Sequence, residues 1–249
     1  MVRIEAYGDS GLRIQFGVDI SEETNEKIRC FCLLLEQKKI PGVVEWIPTY
    51  TAVSLIYDPF IIFYEDLKEQ IEQSFSDMKK VELSPPKITE IPVHYGGEYG
   101  PDLSLIAEKN KLAEQAVIDL HTSRDYLIYM MGFIPGFTYL GGMTEEIAIE
   151  RKSNPRAEIS AGSVGIAGKQ TGIYPVKSPG GWQIIGKTPL KLYDERKESP
   201  ILLEAGNYIR FMPIEEQEFI EIDQKVKAGS YIPRTKSIKR GEESDEVSG

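Results

Sequence analysis

Through its first eighty residues the chain alternates between two hydrophobic periods. Residues 2–7 (Val-Arg-Ile-Glu-Ala-Tyr) and 12–16 (Leu-Arg-Ile-Gln-Phe) repeat every second position, the period of a half-buried strand, and Gly8-Asp9-Ser10-Gly11 joins them as a turn. From Ser21 the period lengthens. Ile28, Phe31, Cys32 and Leu35 stand at i, i+3, i+4 and i+7, one stripe of a helix. Ser21 supplies an N-cap, Glu22 and Glu23 favour the positive end of the helix dipole, and Pro41-Gly42 is a stop signal. The sequence then repeats the plan, with strands at 43–47 and 52–57, a break at Asp58-Pro59, and a helix over 62–75 carrying Phe63, Leu67, Ile71 and Phe75 in register. Residues 1–84 are predicted as a small α+β domain of two strand-strand-helix units.

Ser84-Pro85-Pro86 resists both helix and central strand and is read as a linker. Beyond it, 88–95 is an extended run, 102–109 and 112–121 have helical patterns, and 126–131 is apolar and β-compatible. Glycine then dominates, with 11 of the 22 glycines falling between 132 and 186. They punctuate predicted strands at 164–167, 172–174, 182–186 and 190–193, followed by one at 207–212 and a closing helix at 215–226. Many short strands with Gly/Pro turns predict a mainly-β barrel or sandwich over 87–231. Residues 232–249 are polar and are expected to be a disordered tail.

Charge narrows the function classes. The 249 residues hold 29 Lys+Arg and 39 Asp+Glu, a formal net charge of −10, and residues 1–86 carry 9 basic and 15 acidic side chains. No segment is a polycation, so nucleic acid is not an expected partner. No apolar run approaches the roughly 18 residues that span a bilayer, and the N-terminus has no signal-peptide pattern, so a cytoplasmic protein without a membrane partner is expected. Cys30 and Cys32 point to different faces of a helix and cannot readily bridge. With only His94 and His121 beside them, no metal ligand set is expected.

Several motifs carry candidate chemistry. Residues 162–172 (Gly-Ser-Val-Gly-Ile-Ala-Gly-Lys-Gln-Thr-Gly) resemble a P-loop but lack the Ser/Thr after the lysine and the glycine spacing. Their glycines serve either strand bending or a loop of free N–H groups around Lys169 that cradles an anion. Gly8-Asp9-Ser10-Gly11 lacks the strand-to-helix setting of a nucleophile elbow. His121 stands near a helix end, a place for a partly buried or C-capping side chain. The compact loop 94–103 is expected to bring Glu98 and Asp102 together, either as proton-transferring carboxylates or with Asp102 as a helix cap. Phe133, Phe137 and Tyr139 are three aromatics in a Gly/Pro loop, suited either to line a pocket or to plug one end of the barrel, and Arg156 is a guanidinium able to grip a carboxylate.

Taken together, 94–103, 132–142, 161–175 (AGSVGIAGKQTGIYP) and 178–189 (SPGGWQIIGKTP) resemble the family of 5-oxoprolinase B subunits, also described as allophanate hydrolase subunit 1 and as the sporulation-kinase inhibitor family. The resemblance runs in order over roughly 1–215. It implies an α+β domain followed by a cyclophilin-like β-barrel. It also implies a place, with subunits A and C, in a complex that hydrolyses 5-oxo-L-proline to L-glutamate at the expense of ATP, with the single chain inactive. It implies two alternatives: a regulatory module that inhibits a sensor histidine kinase, or a component of a related urea or allophanate amidolyase. A cyclophilin-like fold alone does not give prolyl isomerase activity. On this reading Glu98, Asp102 and Arg156 are the catalytic candidates. Phe133, Phe137, Lys169, Gln170, Thr171 and Tyr174 are the substrate-binding candidates, with the two loops and Arg156 sharing one cleft.

Overall fold

The alternating runs of the first segment pair as expected. β1 (Arg3–Ala6) and β2 (Gly11–Gln15) form an antiparallel hairpin, and Gly11 is needed there because a Cβ would stand 2.2 Å from the Tyr7 carbonyl oxygen. The computed structural model describes residues 2–238, which form two compact units divided between Ser84 and Pro85. In the first, α1 (Glu22–Lys38) starts at Ser21, whose Oγ accepts the Thr24 N–H at 3.1 Å. It ends at Lys39, in the left-handed conformation at φ 46°, rather than at Pro41-Gly42. β3 (Val43–Pro48), β4 (Ala52–Tyr57) and α2 (Tyr64–Ser74) follow, and the sheet order is β1-β2-β4-β3, all antiparallel. Leu12, Ile14, Val53 and Leu55 meet Ile28, Phe31, Leu67 and Ile71 in one core. Each such side chain contributes roughly 1.5–3 kcal/mol by leaving water. The predicted α2 stripe loses its first member. Phe63 precedes the helix and is 72% exposed, because Ile62 is the side chain that turns inward. Neither cysteine is in a disulfide, both are half-buried, and burial pushes the Cys32 thiol up to about 12, which leaves it unreactive.

The second unit is built on β5 (Lys87–Tyr95), α3 (Leu103–Asn110), α4 (Glu114–Thr122), β6 (Asp125–Met131), β7 (Thr138–Gly141), β8 (Arg156–Ile159), β9 (Ser163–Ala167), β10 (Gln170–Ile173), β11 (Ser178–Gly180), β12 (Gln183–Lys187), β13 (Tyr208–Pro213), α5 (Glu216–Lys227) and β14 (Thr235–Ser237). Seven strands run in the order β10-β9-β12-β5-β13-β6-β7, with β14 added on β5, and β8 pairs separately with β11. Only β5 and β13 are parallel. The sheet curls until β7 and β10, its two end strands, come together, giving a nearly closed barrel. Ile91, Val93, Tyr126, Val164, Ile166, Ile185 and Phe211 fill it.

Two expectations for this half are corrected. Residues 190–193 are not a strand. Leu190 and Leu192 do alternate inward, but the segment follows Pro189 and pairs only through isolated bonds to 200–202, such as Leu202 N–H to Leu192 O at 3.0 Å. The expected disordered tail begins too early, because Thr235–Ser237 pairs antiparallel with Thr89–Lys87 and Lys236 bonds Glu90 at 2.5 Å. The remainder of that tail, 239–249, lies outside the described residues.

Candidate active site

Asp102 sits just before α3 but does not cap it. Its backbone pairs with Ile184, and its carboxylate accepts the Ile184 N–H at 2.7 Å and the Arg156 guanidinium in bidentate fashion, both contacts at 2.8 Å. Lys152 stands 3.5 Å away. Burial acts to raise the Asp102 pKa, but the bonds from Arg156 and Ile184 and the charges of Arg156 and Lys152 outweigh it, so the group is held below its usual range. The bond to Asp102 in turn raises Arg156. The two side chains expected to do separate work are thus partners in one partly buried strut between the start of α3, β8 and β12. A carboxylate so held carries no proton to give at neutral pH. Glu98 is not brought to it. Glu98 is exposed on the loop, whereas Asp102 is buried.

The glycine-rich stretch 162–172 is a hairpin, not an anion cradle. β9 and β10 pair from Ala167↔Gln170 to Val164↔Ile173, so their N–H groups belong to a ladder closed by Gly168-Lys169, with Gly168 at φ +59°. Lys169 is exposed at this tip and bonds Glu145 at 2.6 Å. Strand alternation then separates neighbours that the sequence suggests as a group. Gln170 faces a cleft, and Gly172, on the same face of the strand, lies under the Trp182 ring, where a Cβ would stand 3.0 Å from it. Thr171 faces the barrel core.

That core face holds a polar chain. His121 is 0% exposed, with Nδ1 2.8 Å from the Tyr95 hydroxyl and Nε2 2.8 Å from Thr171 Oγ1, and Thr171 donates to the Gly165 carbonyl at 3.1 Å. Only one arrangement gives every donor an acceptor: Tyr95 O–H to Nδ1, Nε2–H to Thr171, Thr171 O–H to Gly165. We assign the Nε2–H tautomer accordingly. Burial lowers the His121 pKa to about 3, so the ring is neutral. The expected partly buried or capping role is replaced by a wholly buried one, and Thr171 belongs to this network rather than to the cleft.

The cleft, about 300 Å³, is lined by Phe133, Phe137, Tyr139, Arg151, Gln170, Tyr174 and residues 179–182. Phe137, Tyr174 and Trp182 meet edge to face, with centroids 5.8 Å (Phe137–Trp182), 6.2 Å (Phe137–Tyr174) and 6.2 Å (Tyr174–Trp182) apart. Such rings form a stiff floor. Gly180 lies where a Cβ would stand 2.3 Å from the Tyr174 hydroxyl. Burial raises the Tyr174 pKa. Phe133 stands over the mouth, 72% exposed, with a backbone φ of +68° that a bulky residue rarely holds. The Arg151 guanidinium lies 6.0 Å from the centre of the Trp182 ring. Phe133, Phe137, Gln170 and Tyr174 are therefore brought together as expected, while Arg151, not Arg156, is the cleft's cation. Arg156 acts beneath it, donating to the Trp182 carbonyl at 3.4 Å. Sequence patterns do not single out Arg151 or Trp182, whereas Tyr139 is the third aromatic of the Gly/Pro loop. The one signal for Trp182 is its place after Gly180-Gly181. Among the described residues no group of three or more His, Cys, Asp or Glu could hold a metal ion, and no helix is long and apolar enough to cross a membrane.

The class follows from comparison with known proteins. Residues 2–203 match the family described as carboxyltransferase domain, subdomain C and D, and the chain belongs to it, in the branch of the 5-oxoprolinase B subunits. The 5-oxoprolinase B subunit of Bacillus subtilis (strain 168) is 43% identical over 227 residues, 87% of this chain and 95% of that protein. The resemblance drawn from the four motifs is borne out. The crystal structure of TTHA0988 is similar with a TM-score of 0.72 and 35% identity, covering 82% of this chain but 39% of that one. The Kluyveromyces lactis urea amidolyase has the same fold, with a TM-score of 0.75 at 18% identity over 95% of this chain and 16% of that one.

Proposed function

We propose that this chain is a component of a cytoplasmic complex that hydrolyses 5-oxo-L-proline to L-glutamate with ATP, and that it works with subunits A and C and is inactive alone. The reading treats 1–84 as one domain and 87–231 as a second, cyclophilin-like barrel. The observation that carries it is the aromatic cleft with a single guanidinium at its edge. A five-membered lactam is flat, largely apolar on its faces and anionic at its carboxylate. Phe137, Tyr174 and Trp182 offer faces and edges to the ring, Arg151 offers a charge-assisted bond to the carboxylate, and the Gln170 carboxamide can meet the lactam amide. The Asp102–Arg156 strut fixes the backbone at Trp182 and so holds the floor in place.

The test is reconstitution with subunits A and C, following glutamate formed from 5-oxoproline and ATP. Activity is expected only in the full mixture. Loss of the carboxylate contact in Arg151→Gln is expected to lower kcat/KM by about 10- to 100-fold, mainly through KM. No turnover in the full mixture, or robust turnover by this chain alone, overturns the proposal.

A second reading, a module that docks on a sensor histidine kinase, is favoured by one observation. Phe60, Ile61 and Phe63 are 97%, 63% and 72% exposed on one loop. If docking is its role, Phe60→Ser/Phe63→Ser abolishes kinase inhibition and leaves 5-oxoproline hydrolysis intact.

A further inference from the structure

A second and larger cleft, of about 870 Å³, opens on the other side of Arg151, which lines both. Its wall carries three cations, Lys109, Arg151 and Lys152, against one carboxylate, Glu150. In a chain of net charge −10 this is a local reversal of sign. Lys152 leans toward Asp102 at 3.5 Å, but that carboxylate is already bound by Arg156. Among the described residues, neither Lys109 nor Arg151 forms an ion pair. Gln183 adds an independent observation. Its side chain is buried in the wall of the cleft, 5% exposed, and Nε2 donates to the Glu150 carbonyl at 3.2 Å. That bond fixes which end is nitrogen, and Oε1 is left buried with no donor. Such an orphaned acceptor costs about 1–3 kcal/mol unless a ligand or water supplies the donor.

We propose that this cleft binds a phosphate group that carries its own hydrogen-bond donor. The donor is either the P–OH of free hydrogen phosphate or a hydroxyl or amine of a phosphorylated small molecule such as a nucleotide. The oxyanion meets Lys109, Arg151 and Lys152, and its donor answers Gln183 Oε1. An unprotonated carboxylate would satisfy the cations but leave that oxygen unanswered. The position of Arg151 between the two clefts puts a phosphate next to the lactam-sized pocket. That juxtaposition rests on the proposed function above, whereas the phosphate site does not.

The experiment is a titration of the full chain at low ionic strength with inorganic phosphate, followed by ³¹P NMR and calorimetry, and then with ADP and ATP. Saturable one-to-one binding is expected. Lys109→Gln removes one charge-assisted contact far from the aromatic cleft and is expected to weaken binding about tenfold. Gln183→Glu, which places a negative charge where the donor is accepted, is expected to abolish it. Lys227→Gln, on α5, is expected to change nothing. Thermal melts that match the parent chain show that each variant is folded. Where Gln183→Glu does not fold, Lys109→Gln decides. Tighter binding of nucleotide than of phosphate identifies the nucleotide as the source, and the converse identifies free phosphate. No saturable binding at millimolar concentrations, or equal weakening by Lys109→Gln and Lys227→Gln, overturns the site. If the reconstituted complex turns over and Lys109→Gln changes neither binding nor rate, the site fails and the proposed function stands. If phosphate binds as expected and the complex is inactive, the reverse holds.

Discussion

The two units solve the same burial problem with opposite leftovers. In Met1–Ser84 the buried polar residues are Thr24, Asn25 and Ser74, none of them ionisable, while Tyr7, Val18, Ile20, Val44, Phe60, Ile61 and Phe63 remain outside. In the second unit Asp102, His121 and Asp194 are buried along with Thr171, Gln183 and several hydroxyl side chains. Exposed large hydrophobics are fewer there for its greater length. An apolar surplus on the surface suits recognition of another apolar surface. A polar surplus in the interior costs stability unless every group is paired, and is retained where geometry must be held against a ligand. The contrast fits the proposed reading, in which the barrel carries the chemistry and the smaller unit makes the contacts.

The largest expected effect that would break this contrast is in the smaller core. Phe31→Ala removes a ring in contact with Phe16 and Phe75, at centroid distances of 5.3 and 6.0 Å, and is expected to cost about 3–5 kcal/mol in urea denaturation. The barrel should be far more sensitive to acid. The folded pKa of His121 lies at about 3, below the usual value near 6.5, so the unfolded chain binds the proton first. Stability is full above about pH 6.5 and falls by about 1.4 kcal/mol per pH unit below it, or about 2 kcal/mol by pH 5. His121→Gln should flatten that slope, and an unchanged slope would show that His121 is not the group responsible. Asp102, with its folded pKa lowered, contributes stability above its unfolded pKa that is lost only as the pH falls through the lower folded value, a window further into acid. Asp102→Asn at pH 7 is expected to cost about 2 kcal/mol, less than for a fully buried pair because Arg156 is partly exposed. It should also loosen the Trp182 environment, seen in its fluorescence. The smallest effect sharpens the contrast from the other side. Phe60→Ser should shift stability by less than about 0.5 kcal/mol, because the ring packs against almost nothing.

How far the sequence can be read depends on whether neighbours in sequence stay neighbours in space. α1 is legible because its signals are local: Ser21 caps it, and Ile28, Phe31 and Leu35 share a face. The aromatic pair Phe133 and Phe137 is legible because a Gly/Pro loop displays both. Gln170 and Thr171 look like a group in sequence, although a strand points them to opposite faces. Lys169 looks like part of a binding loop, although it marks a two-residue hairpin tip. Asp102 and Arg156, 54 positions apart, each read as a lone side chain, and their pairing is a tertiary fact that no spacing announces. Arg151 is hidden in a run of charged residues that reads as a solvated loop.

The Tyr95–His121–Thr171 chain provides a clock for the barrel. The Nε2 proton of His121 is held by Thr171 inside a side chain with no exposed surface, so water reaches it only when the strands around it part. An imidazole N–H normally trades its proton with solvent too quickly to be seen. Here it should give a persistent resonance in ordinary water that fades in heavy water at the rate of barrel opening. Because β5, α4 and β10 each supply one member of the chain, the decay of that single signal would time their separation as one event, without any probe being attached.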